Sequence, residues 1–194
     1  MDKVSYALGL SIGNNFQNSG IKGLIIDDFV KGLNDVLSAK QPEINYDEAK
    51  QVINDYFIKL KTEKQTLNKQ AGEEFLRINK ERAGVTELPS GLQYQILTKG
   101  LGAKPTSSDQ VKCHYHGTLI NGTVFDSSVQ RGEPAVFGVS QVIPGWVEAL
   151  QLMETGSKWR LFIPSDLAYG ERGAGDSIEP NSTLIFDVEL IDIV

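Results

Sequence analysis

The chain has 194 residues and a mass of 21.3 kDa, enough for one or two domains with a sizeable core, and its 40% hydrophobic and 23% charged residues exclude a disordered chain. No apolar run approaches the roughly 18 residues a membrane-spanning helix needs. A net charge of −6 with a pI near 5.0 opposes binding driven by phosphate neutralisation, so neither a membrane span nor a nucleic-acid partner is expected.

The first 88 residues hold one proline, Pro42, and the remaining residues hold the other six; most of the acidity also falls after residue 88. This shift near Gly84 predicts two domains, a helical one over 1–88 and a strand-rich one over 89–194. Val4, Leu8 and Ile12, then Phe29, Leu33, Val36 and Leu37, recur at three- and four-residue spacing and predict two short helices. A long helix is predicted over about 46–83. Asn45 can cap it and Glu48, three residues on, completes a capping box, with no breaker before Gly84. Its apolar stripe includes Val52, Ile53, Phe57, Leu60, Leu67 and Phe75, and is interrupted by polar residues at Glu63–Gln65. The two short helices or a second subunit could cover that stripe, and the second reading predicts a homodimer.

From residue 89 the pattern changes to short strands. Leu92, Tyr94 and Ile96 alternate, as do Val111, Cys113 and Tyr115; Lys158–Ile163 forms a further run and Leu184, Phe186, Val188 and Leu190 another. One helical segment, Trp146–Met153, follows Pro144-Gly145 and carries Val147, Leu150 and Met153 on one side. A mainly antiparallel sheet with one helix on a face defines an α+β class. Between Ser165 and Thr183 about 19 residues show no period, which in a compact domain marks a functional loop and a wall for a site.

Few chemistries are available to these residues. There is no G-x-S-x-G, no phosphate-binding G-x-x-x-x-G-K-[ST], and the glycine-rich 170–175 stretch lacks the strand and helix that flank a dinucleotide loop. Cys113 sits at an apolar strand position and reads as a core thiol; being the one cysteine, it forms no intrachain disulfide. In Cys113-His114-Tyr115-His116 the two-residue strand period puts both histidines on one face and the cysteine on the other, so no metal site is expected. The N-terminus lacks the features of a signal peptide, which places the protein in the cytoplasm by default; periplasmic or outer-membrane association is the alternative if such a peptide has been removed. What remains is a concentration of aromatic and branched residues near turns, with Asp126 beside Phe125, a pattern suited to an apolar pocket with one polar anchor.

Tyr115-His116-Gly117, Gly122 to Ser128, Val142-Ile143-Pro144-Gly145-Trp146, Ala168-Tyr169-Gly170 and Leu184 to Leu190 together resemble, in order, the FKBP-type peptidyl-prolyl cis/trans isomerases. The similarity covers about residues 88–194, and the helical first half resembles the dimerisation arm of the two-domain bacterial members, the macrophage infectivity potentiator group and its cytoplasmic relatives. The resemblance implies an antiparallel half-barrel sheet wrapped around a short helix, preceded by an all-α dimerisation arm with a long connecting helix. It implies no cofactor. It also implies isomerisation of X–Pro bonds in proline-containing polypeptides and unfolded proteins, chaperone activity, and inhibition by a macrolide such as rapamycin or tacrolimus.

The same resemblance assigns the pocket residue by residue. Trp146 would form the floor, with Tyr115, Phe125, Phe137, Val142 and Phe186 as walls, Ile178 on the loop side and Gln141 at the rim. Ile143 would offer its backbone N–H to one substrate carbonyl and Tyr169 its hydroxyl to another. Asp126 would be a buried carboxylate near the twisting amide, or else the group that orients a tyrosine hydroxyl or a backbone turn. Such a site suits a reaction that breaks no bond. The twisted amide is less polar than the planar one, so an apolar pocket favours it, and anchored neighbouring carbonyls confine rotation to one bond.

Overall fold

The computed structural model describes residues 1–194, which form two compact units, Met1–Glu63 and Lys64–Val194. The first unit contains helices α1 (Lys3–Asn18) and α2 (Ile26–Leu37) and the N-terminal part of α3 (Tyr46–Asn79). Asp2 caps α1 by accepting from the Ser5 N–H at 2.9 Å, and Asp27 and Asp28 complement the helix dipole in the first turn of α2. The α3 start follows the capping expectation, with Asn45 Oδ1 accepting from the Glu48 N–H at 2.8 Å. Phe16 meets Phe29 edge-on at 5.3 Å, and the Tyr56 hydroxyl bonds both the N–H and the carbonyl of Lys22. These contacts are few. No residue of this unit is buried, and Val4, Leu8, Leu33, Val36 and Phe57 are all exposed.

The long helix ends at Asn79, short of the expected residue 83. Asn79 is fully buried and its Nδ2 donates to Gln93 Oε1 at 2.9 Å, which anchors the last turn against the sheet. The chain then tightens into turns, with the Arg82 N–H donating to the Asn79 carbonyl, and leaves through Gly84 at φ 81°, where glycine is favoured.

The second unit is built on a seven-stranded antiparallel sheet. Its strands are β1 (Val85–Glu87), β2 (Gln93–Thr98), β3 (Gln110–Leu119), β4 (Val124–Ser127), β5 (Ala135–Gly138), β6 (Lys158–Ile163) and β7 (Leu184–Ile193). The order is β1-β2-β6-β7-β3-β4, with β5 also paired to β3. Helix α5 (Pro144–Leu152) packs against the inward face of the sheet; Pro144 opens it, at a position where no N–H is required. The short helix α4 (Ser128–Arg131) follows β4 and is capped by Ser127, which accepts from the Gln130 N–H.

Strand alternation decides what faces the core. Val111, Cys113, Tyr115 and Gly117 of β3 turn inward, while Lys112, His114 and His116 turn outward, the division read from the sequence. Leu150 and Met153 from the α5 segment meet Leu161, Leu184, Val188 and Leu190 in a core fully closed to solvent. Burial pushes the Cys113 thiol up to about 12, so it is an inert core group. The opposite sheet face is not bare. The last turns of α3 cover part of it, with Phe75 6.0 Å from Phe162 and Gly72 against Thr183, while Arg160 forms a two-pronged ion pair with Asp187 beside them. The strand and helix pattern predicts one helix on the sheet; the structure places one on each face, because the last turns of α3 carry Phe75 onto Phe162.

Candidate functional site

A cavity of about 720 Å³ opens between the α5 side of the sheet and the loop that joins β6 to β7. Its floor is Trp146, the third residue of α5, which is 4% exposed. The indole is boxed by edge-on aromatic rings: Tyr115 from β3 at 5.6 Å, Phe137 from β5 at 5.7 Å and Phe186 from β7 at 5.3 Å. Such packing of large rings holds the indole by contact area and by the favourable edge-to-face geometry. Phe125 from β4 stands edge-on to Phe186 at 5.3 Å.

Close approach at Gly117 makes room for that pair. A Cβ there would lie 2.7 Å from the Phe125 ring and 2.8 Å from the Phe186 ring, closer than carbon atoms pack, so any side chain at 117 displaces the two rings. The 3-10 turn Val139–Gln141 brings Gln141 to the edge, and Val142 and Ile143 lead into α5 along the cavity wall. Ile143 is the N-cap of α5 in an extended conformation; its carbonyl accepts from Trp146 and Val147, and its N–H donates to no group of the chain. Tyr169 lines the cavity from the loop and is 40% exposed.

Asp126 departs from the expected buried carboxylate. It lies on β4, not in a turn, and its side chain is 44% exposed. Its Oδ2 accepts from the Tyr115 hydroxyl at 2.5 Å, and its Oδ1 accepts from the guanidinium of Arg131 in α4. Arg131 also donates to the Tyr115 oxygen at 2.8 Å and stands 5.5 Å from its ring centroid. Burial would raise the Asp126 carboxyl, but the hydrogen bonds from Tyr115 and Arg131 outweigh it and hold it below its ordinary value. Burial first, and then the bond to Asp126, raise the Tyr115 phenol, so it stays protonated and donating. The Asp126 carboxylate thus bonds a tyrosine hydroxyl and a guanidinium at the edge of the cavity.

All eleven residues singled out from the sequence line this one cavity: Asp126, Tyr169 and Ile143 with Tyr115, Phe125, Phe137, Gln141, Val142, Trp146, Ile178 and Phe186. Sequence reasoning missed three loop residues, Ala174, Gly175 and Ser177, which complete the wall, and Arg131, which ties Asp126 to Tyr115. A signal for Arg131 existed: Ser127 can cap a short helix, and one turn of it returns residue 131 toward Asp126. The loop residues carried none, since Ala, Gly and Ser have no pattern of their own.

Comparison with known proteins establishes the family. Residues 102–191 match the family model described as FKBP-type peptidyl-prolyl cis-trans isomerase, and residues 1–96 match the domain amino-terminal to it. The chain belongs to the FKBP-type peptidyl-prolyl cis-trans isomerases. It is 49% identical to the outer membrane protein MIP of Legionella longbeachae, covering 99% of this chain and 85% of that protein. It is 46% identical to the FKBP-type 22 kDa peptidyl-prolyl cis-trans isomerase of Escherichia coli, covering 99% and 95%. The crystal structure of FkpA from Escherichia coli matches with a TM-score of 0.80 and 37% identity over 98% of this chain and 95% of that one. These relatives lend no support to a cytoplasmic location, and one of them carries the outer membrane in its name. No helix of the chain is long and apolar enough to cross a membrane.

Proposed function

We propose that the cavity binds the proline ring of an extended polypeptide against Trp146 and accelerates rotation about the X–Pro bond by desolvation and positioning. The observation that carries this reading is the indole floor boxed by three aromatic rings beside the uncommitted N–H of Ile143. Amide resonance sets a barrier of about 18–20 kcal/mol to rotation, and twisting the bond removes the resonance and with it much of the carbonyl dipole. Water stabilises the planar, more polar amide; the walls of Phe125, Phe137, Val142 and Phe186 do not, so the twisted amide is favoured relative to it. The Ile143 N–H and the Tyr169 hydroxyl would hold carbonyls on either side of the turning bond, with Ile178 and Gln141 closing the loop side and rim. No acid, base or cofactor enters this scheme. Asp126 acts in it by holding the Tyr115 hydroxyl.

In this reading Met1–Glu63 serves as a dimerisation arm and Lys64–Val194, which includes β1 and the second half of α3, as the isomerase unit; the division falls earlier than the 1–88 and 89–194 expected from composition, because the end of α3 and β1 pack with the sheet. The exposed apolar side chains of α1 and α2 support a second copy of the chain as their cover, because a face with no buried residue stabilises little by itself. The same surface would hold unfolded chains, which is the basis for an accompanying chaperone activity; it is separable, since a proline-free client needs no cavity. A macrolide such as rapamycin or tacrolimus would occupy the cavity. The name of the Legionella relative supports a periplasmic or outer-membrane-associated location.

The test is NMR exchange on an X–Pro peptide with catalytic amounts of protein, repeated with rapamycin and with Trp146→Ala shown to be folded. Faster exchange removed by both perturbations is the expected result. Unchanged exchange with folded wild-type protein overturns the catalytic reading and leaves a proline-binding or chaperone module.

A further inference from the structure

The loop that completes the cavity has two sides. Its inner side presents Ala174, Gly175, Ser177 and Ile178 to the cavity. It is closed on itself by paired backbone bonds between Ala174 and Ile178 and by the Asn181 N–H donating to the Gly170 carbonyl at 2.8 Å. Its outer side lies against one face of α3, from Lys64 to Gly72.

That outer side is held by a row of side-chain bonds. Lys64 Nζ pairs with Glu179 Oε1 at 2.9 Å, and Asn68 Nδ2 donates both to Glu179 Oε2 at 3.2 Å and to the Pro180 carbonyl at 3.0 Å. Gln65 is used twice, its Nε2 donating to the Glu171 carbonyl at 3.1 Å and its carbonyl accepting from Asn181 Nδ2 at 3.3 Å. One turn further on, Gly72 is buried against Thr183, and a Cβ at that position would overlap the Thr183 Oγ1. Residues 65, 68 and 72 share one helical face, so a single stripe of α3 grips the loop from Glu171 to Thr183.

The geometry points to Asn68 and Gly72 as positioning residues of the isomerase site: α3 sets where the 170–183 loop stands, and thereby the width of the cavity at Ile178. Neither residue touches the cavity that holds the substrate. Their effect passes through Glu179 and Pro180, the two residues that follow Ile178, and through Thr183 at the entry to β7. Apart from the 3-10 turn Gly170–Arg172 and its own Ala174–Ile178 bridge, the loop pairs with no strand of the sheet, and so takes its position from what binds its back. This inference rests on the proposed isomerase reading for its kinetic consequence but not for its structural one.

The experiment compares wild type, Asn68→Ala, Gly72→Ala and the double variant Gly72→Ala/Thr183→Ala, in which the clashing hydroxyl is removed. Two readouts are taken on each: KM and kcat for an X–Pro peptide, and amide hydrogen exchange of residues 174–179. Asn68→Ala and Gly72→Ala are expected to raise KM by about three- to ten-fold, with a smaller change in kcat, and to speed exchange across 174–179 while the core strands stay protected. The double variant is expected to recover most of the loss seen with Gly72→Ala. Unaltered KM and unaltered loop exchange in Asn68→Ala overturn the inference. So does a uniform loss of protection across the domain with no recovery in the double variant, which would make the contact a matter of stability alone. Should Gly72→Ala not fold, Asn68→Ala decides by itself. Should wild type fail to speed the peptide's exchange, the isomerase reading falls, and the loop protection still decides whether α3 positions the wall.

Discussion

The hydroxyl of Tyr115 donates to Oδ2 of Asp126 at 2.5 Å, across the pair of strands β3 and β4, so the one carboxylate of the cavity is bonded to an aromatic residue of its wall. Arg131 closes the triangle from α4 by donating to both partners. If Asp126 acts only through that hydroxyl, Asp126→Ala and Tyr115→Phe are not independent. Each should lower kcat/KM roughly ten-fold, the scale of one lost hydrogen bond to a charged partner, and the double variant should be no worse than the poorer single one. A double variant whose losses multiply would give Asp126 a direct part in the chemistry.

Trp146 carries more than the site. It is buried among Tyr115, Phe137 and Phe186, so truncation to Ala should cost about 3–5 kcal/mol of stability and remove isomerisation together. Trp146→Leu keeps an apolar floor and should fold with a smaller loss of stability, yet bind proline poorly. Denaturant unfolding and peptide exchange on both variants separate the two effects.

Gly117 should tolerate no side chain. Gly117→Ala drives a methyl into the rings of Phe125 and Phe186, an overpacking that typically costs about 1–3 kcal/mol. The displaced rings narrow the cavity, so KM for an X–Pro peptide should rise. An unchanged KM in folded Gly117→Ala protein would show that the two rings yield without cost to binding.

Acid should loosen the loop. Hydrogen bonds from Lys64 and then Asn68 hold the Glu179 carboxyl below its ordinary value, so its bonds are fully formed above the ordinary carboxylate range of about 4 and are lost as pH falls through the lowered one. Asp126, lowered by Tyr115 and Arg131 against the cost of burial, follows the same direction. Thermal midpoints measured from pH 7 to pH 3 should fall more steeply for wild type than for Glu179→Gln. Parallel curves would show that Glu179 contributes nothing in the folded state. Both carboxylates are partly exposed, so the effect should also shrink in high salt.

The arm can be tested without touching the cavity. Leu8→Glu with Leu33→Glu places charges on the exposed apolar faces of α1 and α2 and should halve the mass seen by sedimentation, while turnover of a short X–Pro peptide persists. A wild-type chain that sediments as a monomer would remove the dimer from the proposed function.

Periodicity was enough for the existence of the two short helices, though not for their bounds at 3–18 and 26–37, and for the strands that alternate cleanly, while the Asn45–Glu48 capping pair was enough for the start of α3; all these signals are local in the chain. The motifs were enough for the family and for eight of the eleven residues of one cavity; Phe137, Gln141 and Ile178 lie outside those motifs and were assigned only by the wider resemblance. The end of α3 was not legible: Asn79 stops the helix by bonding to Gln93, a partner 14 residues away. Nor were β4 and β5 read as strands, since four residues such as Val124–Ser127 carry too little pattern and become strand only by pairing with β3. The exposure of Asp126, its bond to Tyr115 and its tie to Arg131 likewise depended on three elements meeting. Residues of the 170–183 loop show no period at all. Their position is decided by hydrogen bonds to a helix more than 100 residues earlier in the chain, and such a relation exists only once the tertiary structure has formed.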